Sequence, residues 1–175
     1  AEIYAGTQIF DAINGNILAE HPDTSMAVDG IVAADVLPDT YCANCGGLEW
    51  VRKDGVYSVD LVNGNIKLEV LGVGGSVADM NGDQQLDIIA KEVISTITTR
   101  HYIWDPRTNF LLSNIIENPK PTAANNKFAS YSSCIADFDN DNLPEIGLVS
   151  QNLIYVLDYD TNGKQLTVSW QKEVK

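Results

Sequence analysis

An all-β fold built from repeated units is what this sequence predicts, and three observations predict it. Short runs of β-branched and aromatic residues alternate with polar ones, Asn-Gly pairs interrupt them, and one plan returns about every 50 residues. No stretch longer than a turn or two holds a helical period.

Four segments carry the plan, in chain order: residues 2–20, 49–70, 87–114 and 145–170. Each opens on an acid (Glu2, Glu49, Asp87, Glu145), runs through a β-rich strand, and reaches a second strand that ends in Asp11, Asp60, Asp105 or Asp158. A turn follows, carrying Asn14-Gly15, Asn63-Gly64, Pro106 to Asn109, or Asn162-Gly163, and then a third strand. Asn-Gly suits a hairpin because both residues accept positive φ. The turn aspartates lie 49, 45 and 53 residues apart. A repeat of that length with three or four strands describes a propeller blade and not a helical solenoid. The repeats run approximately over 1–30, 31–74, 75–130 and 131–175 of a single all-β domain, with the Pro- and Asn-rich stretch 118–130 as a loop between the last two. About three and a half blades are present, so the expectation is a partial propeller or part of a larger one, completed by further blades or another chain.

Between the repeats lie two acidic loops of one design. In ADMNGDQQLDIIA, Asp79, Asn81, Asp83 and Asp87 occupy positions 1, 3, 5 and 9; in ADFDNDNLPEIGLV, Asp137, Asp139, Asp141 and Glu145 do the same. Oxygen side chains on alternate residues converge when the backbone curls around a point, and Gly82 permits the tight turn. Hard oxygen donors without His or Cys select Ca²⁺ over zinc or copper, so two Ca²⁺ sites are expected. Each is to be completed by a main-chain carbonyl at position 7, from Gln85 and Leu143. Position 12 of the first loop is Ala90 and a strand follows, which separates the design from an EF-hand.

Through this loop and its flanks, from Gly75-Ser76-Val77-Ala78-Asp79 to Ala90, the chain resembles the FG-GAP/VCBS repeat of integrin-α-like β-propellers, found in bacterial cell-surface adhesins. The resemblance implies a non-catalytic, Ca²⁺-stabilised module for adhesion or protein or glycan recognition, secreted or on a cell surface. It also leaves a second class open: the propeller of a secreted polysaccharide lyase or glycoside hydrolase, where similar repeats occur.

The second repeat departs from the metal pattern. Asp35 and Glu49 align with positions 1 and 9, but 13 residues separate them where the other loops have seven, and the insertion carries Cys42 and Cys45. A disulfide ring between these two is the plainest reading; free thiols, redox chemistry or zinc are the alternatives, the last needing two more ligands when the chain has only His21 and His101. Cys134 is expected as a buried core thiol, the two histidines in surface or packing roles, and Trp50, Trp104 and Trp170 in core packing. No Gly-x-Ser-x-Gly elbow or phosphate cradle is present, and no residue stands out as catalytic.

Charge and composition bound the partners. Eleven basic against 24 acidic residues leave a net charge of −13, which offers nucleic acid and anionic membranes no basic patch. No run approaches the ~18 apolar residues of a membrane span. The sequence opens on Ala1 without Met and holds no signal peptide, which reads as a processed chain or a piece of a longer one.

Overall fold

The structure, a computed structural model, describes residues 2–5, 7–22, 32–38, 47–52, 54–71, 75–93, 99–108, 110–117, 133–150 and 153–173. Every helix or strand element among them is a strand, and the strands form four antiparallel sheets. The chain is all-β. Each sheet takes a consecutive run of chain, with neighbouring strands mostly adjacent in sequence.

The first sheet orders β1 (Glu2–Ala5), β2 (Gln8–Asp11) and β3 (Ile17–Glu20). The second orders β4 (Val32–Ala34), β5 (Glu49–Arg52), β6 (Gly55–Asp60) and β7 (Asn65–Leu71). In the third, β8 (Gly75–Ala78), β9 (Asp87–Val93) and β10 (Thr99–Asp105) are followed by the short β11 (Phe110–Leu111) and β12 (Ile116–Glu117), both paired with β10. The fourth orders β13 (Ser133–Ala136), β14 (Glu145–Ser150), β15 (Leu153–Asp160) and β16 (Gln165–Glu173). By compactness the chain falls into two units, Ala1–Gly75 and Ser76–Lys175.

One turn recurs in all four sheets. The pairs Asp60↔Asn65, Asp105↔Phe110 and Asp160↔Gln165 close four-residue loops, and Asp11 donates its N–H to the Asn16 carbonyl around a loop of the same length. In each, Oδ1 of the leading Asp accepts the N–H two residues on: Ile13 at 2.8 Å, Val62 at 2.9 Å, Arg107 at 2.9 Å and Asn162 at 3.0 Å. This is an Asx turn, in which a carboxylate replaces a main-chain acceptor. Asn14 and Asn63 add their side-chain amides to the second oxygen at 2.6 and 2.7 Å. Thr108 does so with its hydroxyl.

Two expectations are corrected here. Asn14 and Asn63 serve through their side chains, and neither they nor Asn162 takes positive φ; in these three turns only the fifth residue does, Gly15 at +74°, Gly64 at +69° and Lys164 at +52°. The fourth turn starts from Asp160, not Asp158, because β15 and β16 extend two residue pairs further, with Asp158 paired to Thr167 inside the ladder. Its Asn-Gly is therefore one step early, and a lysine occupies the left-handed position.

Packing obeys one rule in both units. In the first, Ile9 and Ala19, with Tyr4 beside them, face Trp50, Tyr57 and Val59 of the second sheet. In the second, Ile89 and Ile103 of the third sheet face Ile146, Leu148, Tyr155, Leu157, Tyr159 and Leu166 of the fourth. Counted from the acid that opens β1, β5, β9 or β14, the earlier sheet offers the residue two places on and its cross-strand partner: Tyr4 with Ile9, Ile89 with Ile103. The later sheet offers the residue one place on and its partner: Trp50 with Tyr57, Ile146 with Leu157. Side chains alternate faces along a strand, so this parity sets which face of each sheet looks forward and which looks back.

Candidate metal centre

The two acidic loops join the first two strands of the third and fourth sheets, β8 to β9 and β13 to β14. Each is held by carboxylates that accept main-chain N–H groups. Asp79 Oδ1 takes Gly82 at 2.8 Å and Asp83 at 3.1 Å, while Oδ2 takes Gln84 at 2.8 Å. Asp137 repeats this on Asn140, Asp141 (3.1 Å) and Asn142 (3.1 Å). Position 3 accepts the N–H of position 5 (Asn81 from Asp83, Asp139 from Asp141), and position 5 that of position 7 (Asp83 from Gln85, Asp141 from Leu143). Positions 4 and 6 are left-handed in both loops: Gly82 and Gln84, Asn140 and Asn142. Alternating left-handed residues curl the chain and turn the odd-numbered side chains inward. Where the first loop has Gly82 at position 4, the second has Asn140, a residue type that enters this region more readily than most.

Position 9 closes the loop. Glu145 Oε2 accepts the Phe138 N–H, Asp87 Oδ2 the Met80 N–H at 3.0 Å, and Glu49 Oε2 the N–H groups of Val36 at 2.8 Å and Leu37 at 3.0 Å. All three acids are buried. The staple survives in the second sheet despite the long insertion, so it belongs to the loop fold and does not depend on the acidic residues between. Cys42 and Cys45 lie outside the described residues.

Among the described residues, one group of acidic, His or Cys side chains gathers at metal-ligand spacing: Asp137, Asp139, Asp141 and Glu145, with one oxygen of each within 4.8 Å of the others. Two oxygens on opposite sides of one Ca²⁺ at 2.3–2.6 Å would be about 4.6–5.2 Å apart, so these residues fit a hard divalent cation. Glu145, 2% exposed, has its second oxygen, Oε1, buried with no hydrogen-bond partner. Burial pushes the Glu145 carboxyl above its usual range, Phe138 opposes that, and Asp139, Asp137 and Asp141 reinforce it. Like charges at 4.8 Å repel by about 3 kcal/mol at an effective dielectric near 20. The cluster can hold a metal ion.

The first loop shares the backbone without the same gathering. Its position 3 is an amide, and Asn81 Nδ2 donates to Asp83 Oδ2 at 3.0 Å, engaging an oxygen that a cation would use. Arg107 also reaches the loop, donating to the Leu86 carbonyl at 3.3 Å. Asp87 is pushed up to about 7, by burial first and then by Asp83, Asp105 and Asp79, against the Met80 hydrogen bond.

The neighbouring strand supplies a carboxylate that reading along the chain does not assign to either loop. Asp158 follows Leu157, the partner of Ile146, and stands by the second cluster; its carboxyl is raised by burial and by Asp139 and Asp141. Asp105 follows Trp104, the partner of Ile88, and bears on Asp87 likewise. Cross-strand register was the signal that finds both.

Other expectations divide. His21 and His101 are buried and pack: His21 stands edge-on to Tyr57 at 4.9 Å and to Trp50 at 6.0 Å between ring centres. Trp50 and Trp104 are buried, but Trp170 is 48% exposed and Cys134 is an exposed thiol, so neither joins the core. Their residues point to the outer face of the fourth sheet, where a groove of about 670 Å³ is lined by Cys134, Phe138, Val156 and Trp170 and bordered by Asp139 and Glu145. The sequence missed a small polar group in the first unit as well. Arg52, buried, pairs with Asp54 at 3.1 Å and lies over the rings of Trp50 and Tyr57, whose hydroxyl also donates to Asp54.

In comparison with known proteins, the chain matches no protein-family model, and no curated protein is significantly similar to it.

Proposed function

We propose that the chain is a Ca²⁺-stabilised, non-catalytic recognition module of the FG-GAP/VCBS kind, its sheets serving as propeller blades in adhesion or in binding protein or glycan at an extracellular surface. One observation carries the reading: Glu145 holds a buried oxygen without a hydrogen-bond partner in a residue grouped with three other carboxylates. Burying a carboxylate oxygen unpaired is costly, and a cation held by the cluster offsets that cost. Four carboxylates, no nitrogen or sulfur donor and a curled main chain favour Ca²⁺ over softer metals. Asp79, Asn81, Asp83 and Asp87 form a second, weaker Ca²⁺ site in this reading, because an amide stands where the second loop has Asp139. The ion's role is to fix the loops and so the strand pairs they join.

Calorimetric titration with Ca²⁺ and with Mg²⁺, beside thermal melts with and without chelator, tests it. Two Ca²⁺ sites, the tighter one lost in Glu145→Gln, support the reading; Gln keeps an acceptor for the Phe138 N–H while removing the charge. An absence of binding heat together with chelator-insensitive melting overturns it. Incubation with uronic-acid and neutral glycans separates the functions: binding without turnover fits a recognition module, and depolymerisation would make the protein an enzyme.

A further inference from the structure

The outer face of the fourth sheet is built like a buried interface. Equivalent positions in the third sheet define what it lacks. Position 2 of the loop before β5, β9 or β14 is Val36, Met80 or Phe138; the first two are fully buried, and Phe138 is 49% exposed. Met80 belongs to the core between the third and fourth sheets, with Ile89, Ile103 and, at its margin, Leu112. In the fourth sheet those places fall to Gly147, Val156 and Trp170: Gly147 pairs with Val156 as Ile89 pairs with Ile103, and Trp170 pairs with Val156. Gly147 leaves room for Phe138 to lie down on the sheet, since a Cβ there would meet the Phe138 ring at 3.1 Å and the Cys134 sulfur at 2.6 Å. Val149 and Ile154 extend the apolar surface.

The parity shared by both units says what would cover such a face: a sheet presenting the residue one place past its opening acid, with its partner. The first sheet carries that face. Phe10 stands in the register of Leu157, half-buried, and its partner Ile17 is 52% exposed. We infer that the outer face of the fourth sheet, centred on Phe138, Val156 and Trp170, docks the Phe10–Ile17 face of the first sheet of a second copy of this chain, repeating between molecules the packing of the third sheet on the fourth. Two different patches meet, so the contact is heterologous and gives rings or open chains and not a self-complementary dimer. Two copies at −13 each repel, so association strengthens as salt shortens the screening length from about 30 Å at 0.01 M to about 10 Å at 0.1 M.

The docking does not rest on calcium binding, and its test is separate. Sedimentation velocity of the intact chain over rising concentration, at those two salt levels, is expected to show oligomers that grow with both variables. Trp170→Asp and Ile17→Asp, each verified as folded by circular dichroism, are each expected to remain monomeric alone and to form a 1:1 dimer when mixed, because each retains the face the other lacks. In that mixture alkylation of Cys134 in the Ile17→Asp chain slows, since its groove is the one filled. A monomer under all conditions overturns the inference. So does association abolished by Trp170→Asp but untouched by Ile17→Asp, which would mean that the fourth sheet pairs with something other than the first.

Discussion

Glu49, Asp87 and Glu145 each spend one oxygen on a loop-closing hydrogen bond, and the other oxygen separates their roles. Glu49 is a staple in a loop without the acidic ladder. Glu49→Ala strands two buried N–H groups, on Val36 and Leu37, and should cost on the order of 2–5 kcal/mol in denaturant unfolding, whereas Glu49→Gln, which keeps an acceptor, should cost much less. Asp87 is tied to pH. Its carboxyl titrates near 7 in the folded chain, above the ordinary Asp value, so the folded state holds the proton more tightly than the unfolded state. Stability from this group is then full below about pH 4 and falls as pH rises toward 7, the sign opposite to that of a salt-bridged aspartate. Without Ca²⁺, melting temperature should drop between pH 5 and 7.5 by an amount that shrinks in Asp87→Asn; saturating Ca²⁺ should flatten the slope, because the cation compensates the ionised carboxylate. Melting curves across pH with chelator and with Ca²⁺ decide it.

At the level of the element, four hairpin turns of one length show how a local rule is kept and where it slips. The leading aspartate does the same work in each, while the left-handed fifth position is Gly15, Gly64 or Lys164. A side chain in that region costs about 1–2 kcal/mol relative to glycine. Lys164→Gly should therefore stabilise the β15–β16 hairpin by about 1 kcal/mol, part of the gain being lost to the greater freedom of the unfolded chain, and should shift the chemical-denaturation midpoint upward. Gly55 behaves in the opposite way. It pairs with Leu71 at the end of the β6–β7 ladder, and a Cβ would come within 2.3 Å of the carbonyl oxygen of the adjoining Val70. Main chain cannot yield as a side chain can, so Gly55→Ala should destabilise by more than the ~1 kcal/mol typical of a point change, read from the same measurement.

For the molecule as a whole, both acidic loops lie in the unit Ser76–Lys175, and the unit Ala1–Gly75 holds the loop with the insertion. If the loops hold Ca²⁺ as proposed, its removal should therefore act unevenly. Hydrogen exchange with and without chelator is expected to lose protection in β8, β9, β13 and β14, while β5 and β6, closed by Glu49, hardly change. Uniform loss over both units would mean that the ion stabilises the chain by a route other than these loops.

The all-β class and the strand order along the chain were legible in the sequence because period-two alternation and turn chemistry are local properties. The hydrogen-bond ladder of Asp79 and Asp137 was legible for the same reason: oxygen side chains at positions one, three, five and nine of one loop carry their geometry with them. Two features depended on what lies across a strand or beyond a sheet, and a third on a side-chain orientation within one loop. Asp158 reaches the second cluster only through the register of β14 on β15. Whether Trp170 and Cys134 are core or surface turns on which sheet face has a neighbour, and an apolar side chain reads alike in both settings. The asymmetry between the loops came from one amide that turned toward Asp83. Sequence determined the strands, the leading aspartates of the turns and the acids that crowd the loops; tertiary structure decided that Asp158 stands by the second cluster and which apolar face remains exposed, because both depend on groups on different strands or sheets.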